Sequence, residues 1–332
     1  MEFIGRNSIL NLKDLIKQNT LIFTQNNIYN KFKDILISNL KNSNITIFDK
    51  IKENPKKEDV DYAKFDLQEK QFDCIIAFGG GSVIDFAKAY RYYSNQDIPL
   101  IAIPTTAGTG SQATQFAVVY VDGQKTSIDN PVILPNHSIV DSQFFENAPL
   151  YLKACSAIDA FCQAIESYWA KKATLESKKY ALKSICLCRD YIVEAVKTNN
   201  PIANEQMAKA AHYSGKAINI SRTTAAHALS YKITSKYGIP HGHAVALSMI
   251  GLFNLNVNTS ENFKPLYDAL GISENSFDNY FYSLTKQIGL ELNLKKIGID
   301  DIEDIIDSVN IERLNNNPII LSRKDLLNIF MF

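Results

Sequence analysis

Two histidines, His227 and His241, stand one helix and one turn apart in a chain that has only 5 histidines. Upstream, Asp159 and Gln163 lie four positions apart, so a helix places their side-chain oxygens on one face. Imidazole nitrogen together with carboxylate and amide oxygen suits a divalent transition ion. The spacing therefore predicts one metal site with these four residues as ligands, although each histidine taken alone fits an ordinary structural role.

The stretch from Ala157 to Trp169 has the apolar spacing of a helix, with Asp159, Gln163 and Glu166 as its polar stripe. A surface helix commonly carries such a stripe, and the stripe alone favours a solvated face. The paired histidines favour the metal site instead. Pro240 is expected to start the helix that carries His241 and His243.

A second motif follows the short apolar run from Cys74 to Phe78. Gly79 to Ser82 then leads into helical spacing from Val83 to Tyr90, which predicts a strand, a glycine turn and a helix. Glycines let the backbone approach a ligand closely, and the free N–H groups of a helix start suit phosphate. Ser82 and Asp85 also fit a capping-box-like helix start, so a purely structural role stays open.

The next apolar run, Ile98 to Ile103, is followed by a loop rich in hydroxyl groups and glycine, Pro104 to Ser111. Such a loop could line a dinucleotide, or it could be a plain polar loop. Strand and helix patterns alternate up to about Asp141, and helix patterns dominate from Leu150. The break at 147–149 predicts a domain boundary there.

These motifs, in this order along most of the chain, resemble the iron-containing (group III) alcohol dehydrogenase family. The resemblance rests on Gly79 to Ser82 with Asp85 and Lys88, on 104–111, on Asp159-Ala160 with 164–166, and on 227–241. It implies an α/β plus all-α protein of the dehydroquinate synthase-like fold. Residues 1–149 would form a Rossmann-like nucleotide-binding domain and residues 150–332 an all-helical metal-binding domain, with metal and nicotinamide in the cleft between them. The implied activity is the reversible reduction of an aldehyde or ketone.

The resemblance also implies roles for single residues. The metal ligands would be Asp159, Gln163, His227 and His241. The implied cofactor contacts are Gly80, Gly81, Ser82, Asp85, Thr105, Thr106, Thr109, Ser111 and Lys125. Gln25 follows the first strand, Thr20 to Thr24, where many NAD-preferring relatives carry an aspartate that repels a 2′-phosphate. The expected cofactor is therefore NAD(P)H, with NADPH favoured.

Two positions depart from the usual family pattern. Gln163 replaces a histidine, so an amide oxygen replaces a nitrogen ligand and the site becomes harder. Fe²⁺ or Zn²⁺ is favoured, and Mn²⁺ and Mg²⁺ stay open. Tyr231 stands where the family often has a proton-relaying histidine, so the proton donor is expected to be Tyr231 or His243, unless Tyr231 only packs its helix.

Four features are similar to the phosphonoacetaldehyde reductase (2-hydroxyethylphosphonate dehydrogenase) branch of the family: the Asp159 and Gln163 pair, the run 221–231, Gly238 to Leu247, and the late Asn316-Asn317-Pro318. The similarity implies a small anionic aldehyde as substrate. Independently, Arg222 beside Thr223 and Thr224 forms a plausible clamp, because a guanidinium fork with hydroxyl donors fits phosphonate oxygens. A surface arginine is the alternative.

Composition limits the other possibilities. Lys and Arg equal Asp and Glu at 35 each, which argues against nucleic acid as the main partner. The chain opens without a charged and apolar leader, and no apolar run approaches a membrane span, so a cytoplasmic location is expected. The 5 cysteines have no metal-finger spacing and fit reduced thiols. A homodimer is an open expectation.

Three functions compete at this level. The favoured one is metal-dependent reduction of phosphonoacetaldehyde to 2-hydroxyethylphosphonate. The second is an alcohol dehydrogenase of the same fold acting on another small aldehyde, ketone or polyol phosphate. The third belongs to another class: a catalytically silent NAD(P)-binding protein in which Gln163 marks a decayed metal site. A non-redox enzyme of the sugar-phosphate cyclase type is a more distant alternative.

Overall fold

The computed structural model describes residues 1–41, 43–198, 200–259, 262–309 and 311–330. Contacts divide the chain into two compact units. The first comprises Met1–Thr106 and Gly110–Glu146, and the second comprises Ala107–Thr109 and Asn147–Phe332. The boundary predicted at residue 149 thus differs from the end of the first unit at Glu146, and the short segment 107–109 groups with the second unit.

The first unit is an α/β unit. Its strands are β1 (Glu2–Ile4), β2 (Asn19–Phe23), β3 (Asn44–Phe48), β4 (Cys74–Gly79), β5 (Leu100–Pro104), β6 (Phe116–Val121), β7 (Gln124–Asp129) and β8 (His137–Val140). Its helices are α1 (Asn26–Ser38), α2 (Lys57–Asp66) and α3 (Gly81–Ser94). The strands predicted at Thr20 to Thr24, Cys74 to Phe78 and Ile98 to Ile103 are confirmed to within about two residues.

Among the described residues, six strands form a parallel sheet in the order β1-β8-β5-β4-β2-β3. The central strands are continuous apolar runs because both faces of a parallel sheet are covered, and every residue of β4 is buried. The chain runs from β2 outward to β3 and then returns to the other side of β2 as β4. The carboxyl ends of β2 and β4 therefore lie at a topological switch point, where sheets of this type bind ligands.

The second unit is helical, and its described residues contain no strand. Its helices are α4 (Leu150–Trp169), α5 (Leu175–Lys197), α6 (Pro201–Ser221), α7 (Ala225–Tyr237), α8 (His241–Ala246), α9 (Met249–Val257), α10 (Lys264–Leu270), α11 (Phe277–Gln287), α12 (Ile302–Asp307), α13 (Ile311–Leu314) and α14 (Arg323–Asn328). In the described part of the chain, no helix has both the length and the apolar character needed to cross a membrane.

Helix α4 is the centre of the second unit. It packs against α5, α6 and α8, and it is buried almost without interruption from Ala154 to its end. Its polar stripe is buried as well: Asp159 is 2% exposed, Gln163 3% and Glu166 0%. The solvated face that the stripe alone favoured is therefore wrong, and these three polar groups need partners inside the protein.

Two predicted helix starts need correction. Helix α3 begins at Gly81 with Gly80 as its N-cap, and no side chain caps it, so Ser82 and Asp85 do not form a capping box. A single residue, Gly80, separates the end of β4 from the start of α3. Helix α8 begins at His241, with Pro240 just before it rather than at its first position.

Candidate metal and nucleotide sites

Three side chains from three helices of the second unit meet at one point. Asp159 of α4, His227 of α7 and His241 of α8 offer atoms that all lie within 4.8 Å of one another. Asp159 Oδ1 is 3.5 Å from His227 Nε2 and 4.0 Å from His241 Nε2. Ligand atoms bound at roughly 2.1 Å to a single ion lie about 3 to 4 Å apart, so the cluster has the dimensions of a metal site.

Neighbouring groups fix which nitrogen each histidine presents. His227 Nδ1 contacts the Glu166 carboxylate, which leaves Nε2 facing Asp159. The Ser230 hydroxyl donates to the His227 carbonyl oxygen at 2.8 Å and is 3.2 Å from His241 Nδ1. Ser230 Oγ therefore accepts a hydrogen bond from His241 Nδ1–H, and His241 also presents Nε2. Outer partners of this kind orient metal-binding imidazoles.

Glu166 organises the start of α7 around His227. Its Oε1 accepts bonds from the Thr224 N–H at 3.1 Å, the Thr224 hydroxyl at 2.7 Å and the Ala226 N–H at 2.9 Å. Burial acts to raise the pKa of Glu166, but His227 and these donors outweigh burial and lower it. Burial likewise acts to lower the pKa of His227, yet Glu166 and Asp159 raise it to about 9. The pocket therefore favours positive charge.

Gln163 lies one turn after Asp159 on α4. Its Nε2 donates to the Thr109 carbonyl oxygen at 3.2 Å and to the Ser214 hydroxyl at 3.0 Å. Both amide hydrogens are thus used, and Oε1 is the atom that remains for a ligand role. Thr109 contributes its backbone to this contact, so the predicted role of its side chain at the cofactor stays a prediction.

Gly242 explains how His241 comes close to Asp159. A Cβ atom at Gly242 would lie 1.9 Å from the Cys155 carbonyl oxygen and 2.7 Å from Asp159 Cβ. Real Cβ atoms do not approach so closely, so only glycine allows α8 to pack this tightly on α4. Neither Gly242 nor Glu166 was assigned a role from the sequence. The signal for Glu166 was its place seven residues after Asp159, on the same helix face.

The residues fit a divalent metal. His227 Nε2 is buried and has no hydrogen-bond partner within the part of the chain described, a costly state for a polar atom unless a cation binds it. One carboxylate, two oriented imidazoles and one amide oxygen suit Fe²⁺, Zn²⁺ or Mn²⁺. Mg²⁺ fits less well, because it prefers all-oxygen sites.

The two candidate proton donors differ in their surroundings. Tyr231 stacks on His241, with ring centroids 6.1 Å apart and an interplanar angle of 22°. His243 lies elsewhere: its Nε2 donates to the Glu291 carbonyl oxygen at 2.7 Å, and its Nδ1 accepts from the Tyr151 hydroxyl at 2.9 Å. Burial also lowers the pKa of His243. The catalytic role predicted for His243 is therefore corrected to a structural one.

Only one of the three residues predicted to form the anion clamp is kept as a substrate-binding candidate. Thr224 is fully buried and bonded to Glu166 and Trp169, so it does not line a substrate site. Thr223 is 2% exposed, and its hydroxyl accepts a hydrogen bond from Arg313 at 2.8 Å. Arg222 is half-buried at the end of α6, where its guanidinium contacts the Asn219 carbonyl oxygen. Of the three predicted residues, Arg222 alone stays a substrate-binding candidate, because packing uses the two threonines.

The two loops predicted to bind the nucleotide start side by side in the first unit, to which residues 79–82 and 104–106 belong. They follow the paired strands β4 and β5, and the Thr105 N–H donates to the Gly79 carbonyl oxygen at 3.0 Å. A Cβ atom at Gly80 would lie 3.6 Å from the Thr106 hydroxyl oxygen. Gln25 follows β2, across the switch point from the glycine turn, and its amide donates to the Ile51 carbonyl oxygen at 3.3 Å. The first N–H groups of α3 have no partner within the helix and suit a pyrophosphate.

Lys88 and Asp85 anchor the end of the second loop through buried hydrogen bonds. Lys88 is fully buried and donates to the carbonyl oxygens of Ser111 at 2.6 Å and Phe116 at 2.7 Å. Asp85 accepts from the Ser111 hydroxyl at 2.6 Å and from the Val118 N–H at 3.0 Å. Asp85 and Ser111, both predicted to contact the cofactor, are thus corrected to anchoring residues, because these internal bonds engage their polar atoms.

Burial and the attraction between Lys88 and Asp85 have opposite effects on the pKa of each residue. Burial raises the pKa of Asp85 against the opposing effects of Lys88, the bonds just described and Lys125. Burial lowers the pKa of Lys88 to about 8, although Asp85 acts to raise it. Lys125 lies half-buried on β7, and its predicted contact with the cofactor ribose stays a prediction.

Comparison with known proteins gives matches along the chain. The family model for iron-containing alcohol dehydrogenase matches residues 2–142, and the model for the C-terminal part of the Fe-containing alcohol dehydrogenase family matches residues 153–331. A phosphonoacetaldehyde reductase of Streptomyces viridochromogenes is 29% identical over 57% of this chain and 55% of its own length. The probable alcohol dehydrogenase EutG of Escherichia coli is 31% identical over 72% of this chain and 67% of its own length. The chain thus spans about half to two thirds of these relatives.

Among solved structures, the sulfoacetaldehyde reductase of Bifidobacterium kashiwanohense, crystallised in complex with NAD⁺, is similar with a TM-score of 0.91 and 25% identity. The match covers 100% of this chain and 96% of that one, which confirms the predicted fold of a Rossmann-like unit followed by a helical unit. Since the second family model alone matches more than half of the residues, the chain belongs to the iron-containing alcohol dehydrogenase family, a family of oxidoreductases.

Proposed function

We propose that this protein is a metal-dependent reductase that uses NAD(P)H to convert a small anionic aldehyde to its alcohol. The proposed substrate is phosphonoacetaldehyde and the product 2-hydroxyethylphosphonate. The observation that carries the proposal is the cluster of Asp159, His227 and His241, with Arg222 only five residues before His227. Two similar proteins are named as reductases of phosphonoacetaldehyde and sulfoacetaldehyde, and both of these aldehydes carry a tetrahedral anionic group.

The reaction balances as aldehyde, NAD(P)H and one proton giving alcohol and NAD(P)⁺. Asp159, Gln163, His227 and His241 would hold the divalent ion, which supplies Lewis-acid stabilisation of charge on the carbonyl oxygen. Arg222 would bind the phosphonate and fix the distance of the aldehyde group from that site. Tyr231 would give the proton to the alcohol oxygen, since its ring stacks on His241.

The cofactor would be held by the first unit. Gly80, Gly81 and Ser82 would receive the pyrophosphate on the N–H groups at the start of α3. Gln25 carries no charge that would repel a 2′-phosphate, which supports NADPH over NADH. Thr105 and Thr106 would border the nicotinamide side of the dinucleotide.

The test is a substrate profile. Metal-loaded protein is assayed for NADPH and NADH oxidation with phosphonoacetaldehyde, acetaldehyde and glyceraldehyde phosphate, and kcat/KM is compared. The proposal expects the highest kcat/KM with phosphonoacetaldehyde and NADPH. A higher value with glyceraldehyde phosphate or acetaldehyde would move the function to another aldehyde of the same family. Absence of oxidation with every aldehyde and metal would leave the silent nucleotide-binding function.

A further inference from the structure

Arg222 has the most unusual backbone among the described residues. Seven residues other than glycine have positive φ, and six of them are Asn or Asp, which tolerate left-handed conformations. Arg222 is the exception. Its φ of 64° combines with a ψ of 174°, a region that essentially only glycine adopts without strain.

Asn316 bonds to both neighbours of the strained residue. Its Nδ2 donates to the carbonyl oxygens of Ser221 and Thr223, each at 2.9 Å, so one amide group bonds to the residue before Arg222 and to the residue after it. Asn316 is 6% exposed, and its Oδ1 accepts from the Lys172 N–H at 3.2 Å. We call this arrangement of Asn316 with the two carbonyl oxygens the Asn316 clamp.

Arg313 reinforces the same turn. It lies three residues before Asn316, and its Nη1 donates to the Thr223 hydroxyl at 2.8 Å. The N–H groups of Thr224 and Ala226, at the start of α7, are already bonded to Glu166. Positive charge at this turn therefore comes from side chains. One of these, the Arg222 guanidinium, belongs to the residue whose backbone is strained.

A glycine would occupy this conformation without strain, so an arginine there is explained by what its side chain does. The guanidinium contact to the Asn219 carbonyl oxygen is a local cap of α6, and many residues could end a helix without a strained backbone. Strain of this kind concentrates where function requires it. The nearby functional feature is the candidate metal site, whose ligand His227 lies on α7.

We propose that Asn316 is a positioning residue that sets the preference for anionic over uncharged aldehydes. By holding the carbonyl groups on both sides of Arg222, it keeps the guanidinium-bearing residue in one conformation beside the helix of His227. The inference rests on the proposed function, and it adds a residue that acts through Arg222 without touching the substrate.

The experiment compares Arg222→Gly, Asn316→Ala, the double variant and a matched control, Asn317→Ser. Asn317 is buried, as Asn316 is, but it pairs with Asn256, so its loss perturbs the same region without removing a bond to the Arg222 turn. For each protein, Tm is recorded together with kcat/KM for phosphonoacetaldehyde and for acetaldehyde. If Asn316→Ala does not fold, Asn316→Ser, which keeps a hydroxyl donor, replaces it.

We expect Arg222→Gly to raise Tm and to lower the phosphonoacetaldehyde to acetaldehyde ratio of kcat/KM at least tenfold. Asn316→Ala should lower that ratio several-fold, chiefly through KM for phosphonoacetaldehyde. The double variant should show the ratio of Arg222→Gly alone, because Asn316 acts through Arg222. Asn317→Ser should lower Tm and leave the ratio unchanged.

Two results would overturn the inference. One is an Asn316→Ala protein that loses activity toward both aldehydes in equal proportion, as the control does. The other is a double variant in which the two losses multiply. If wild-type protein shows no preference for the anionic aldehyde, the proposed function fails as well. The Asn316 clamp is then still tested by Tm. Arg222→Gly should raise Tm more in the wild-type background than in the Asn316→Ala background.

Discussion

Glu166 connects the backbone of α7 to the orientation of His227. One oxygen of its carboxylate accepts hydrogen bonds from Thr224 and Ala226, and the other contacts His227 Nδ1. A carboxylate behind an imidazole fixes the ring and makes it a stronger ligand. Glu166 thus belongs to the candidate site although it is not expected to touch the metal.

Glu166→Gln should weaken metal binding about 10- to 100-fold, because a neutral amide orients the imidazole less strongly and does not increase its basicity. The measurement is metal retained after dialysis against a graded series of chelator concentrations. Glu176→Gln, which changes an exposed carboxylate in the first turn of α5, is the control. Equal retention by wild type and Glu166→Gln would show that the orienting role is wrong.

At the residue scale, the sequence was informative about ligands and poor at separating ligands from anchors. Asp159, His227 and His241 were predicted as a group, and the structure brings them together. Ser111, Asp85 and Thr224 have the residue types of a binding loop, but internal bonds use their polar atoms. Residue type and spacing do not reveal such partners, since the partners come from distant segments.

At the scale of elements, the contact between α4 and α8 depends on a single missing side chain. Gly242 lies against the Cys155 carbonyl oxygen and Asp159, and this packing sets the distance from His241 to Asp159. The glycine was visible in the sequence. Its importance was not, because the close approach depends on the crossing of two helices.

Gly242→Ala should destabilise the protein by about 1 to 3 kcal/mol, the usual cost of overpacking, and should also weaken metal binding by moving α8 away from α4. Thermal unfolding and metal titration measure the two effects. Gly289→Ala is a matched control: it has a φ of 80° and no neighbour within 4 Å, so strain should lower its stability and leave metal affinity intact. Unchanged metal affinity in Gly242→Ala would contradict the packing argument.

The anchor formed by Lys88 and Asp85 makes a prediction about pH. The pKa of Lys88 in the folded protein is about 8, below its ordinary value of 10.5. Between these values the unfolded chain binds a proton that the folded chain has released, so this residue's contribution to stability rises with pH from 8 to 10.5. The full rise is about 3 kcal/mol.

Lys88→Met lacks this titration. The difference in unfolding free energy between wild type and Lys88→Met should therefore widen as pH increases through that window, in chemical denaturation followed by circular dichroism. Lys13→Met, which replaces an exposed lysine, is the control for the loss of one positive charge. A difference for Lys88→Met that is flat or narrows as pH rises would show that the buried amine keeps its proton.

At the scale of the whole molecule, the class of fold was predictable and the detailed division was less so. The strand runs, the switch to helical patterns after Asp141 and the glycine turn follow from periodicity. The grouping of 107–109 with the helical unit does not, because it results from Gly108 packing on the backbone of Ser156 and from the Gln163 bond to Thr109. Contacts between segments far apart in sequence leave no periodic signal.

The most direct test of the account joins metal content to turnover. Wild type and His241→Ala are stripped with chelator, reloaded with Fe²⁺, Zn²⁺ or Mn²⁺, and analysed for bound metal and for NADPH oxidation with phosphonoacetaldehyde. The account predicts one bound ion per chain and metal-dependent oxidation for wild type, with weakened binding and loss of turnover in His241→Ala. A His241→Ala protein that keeps both its metal and wild-type turnover would contradict it.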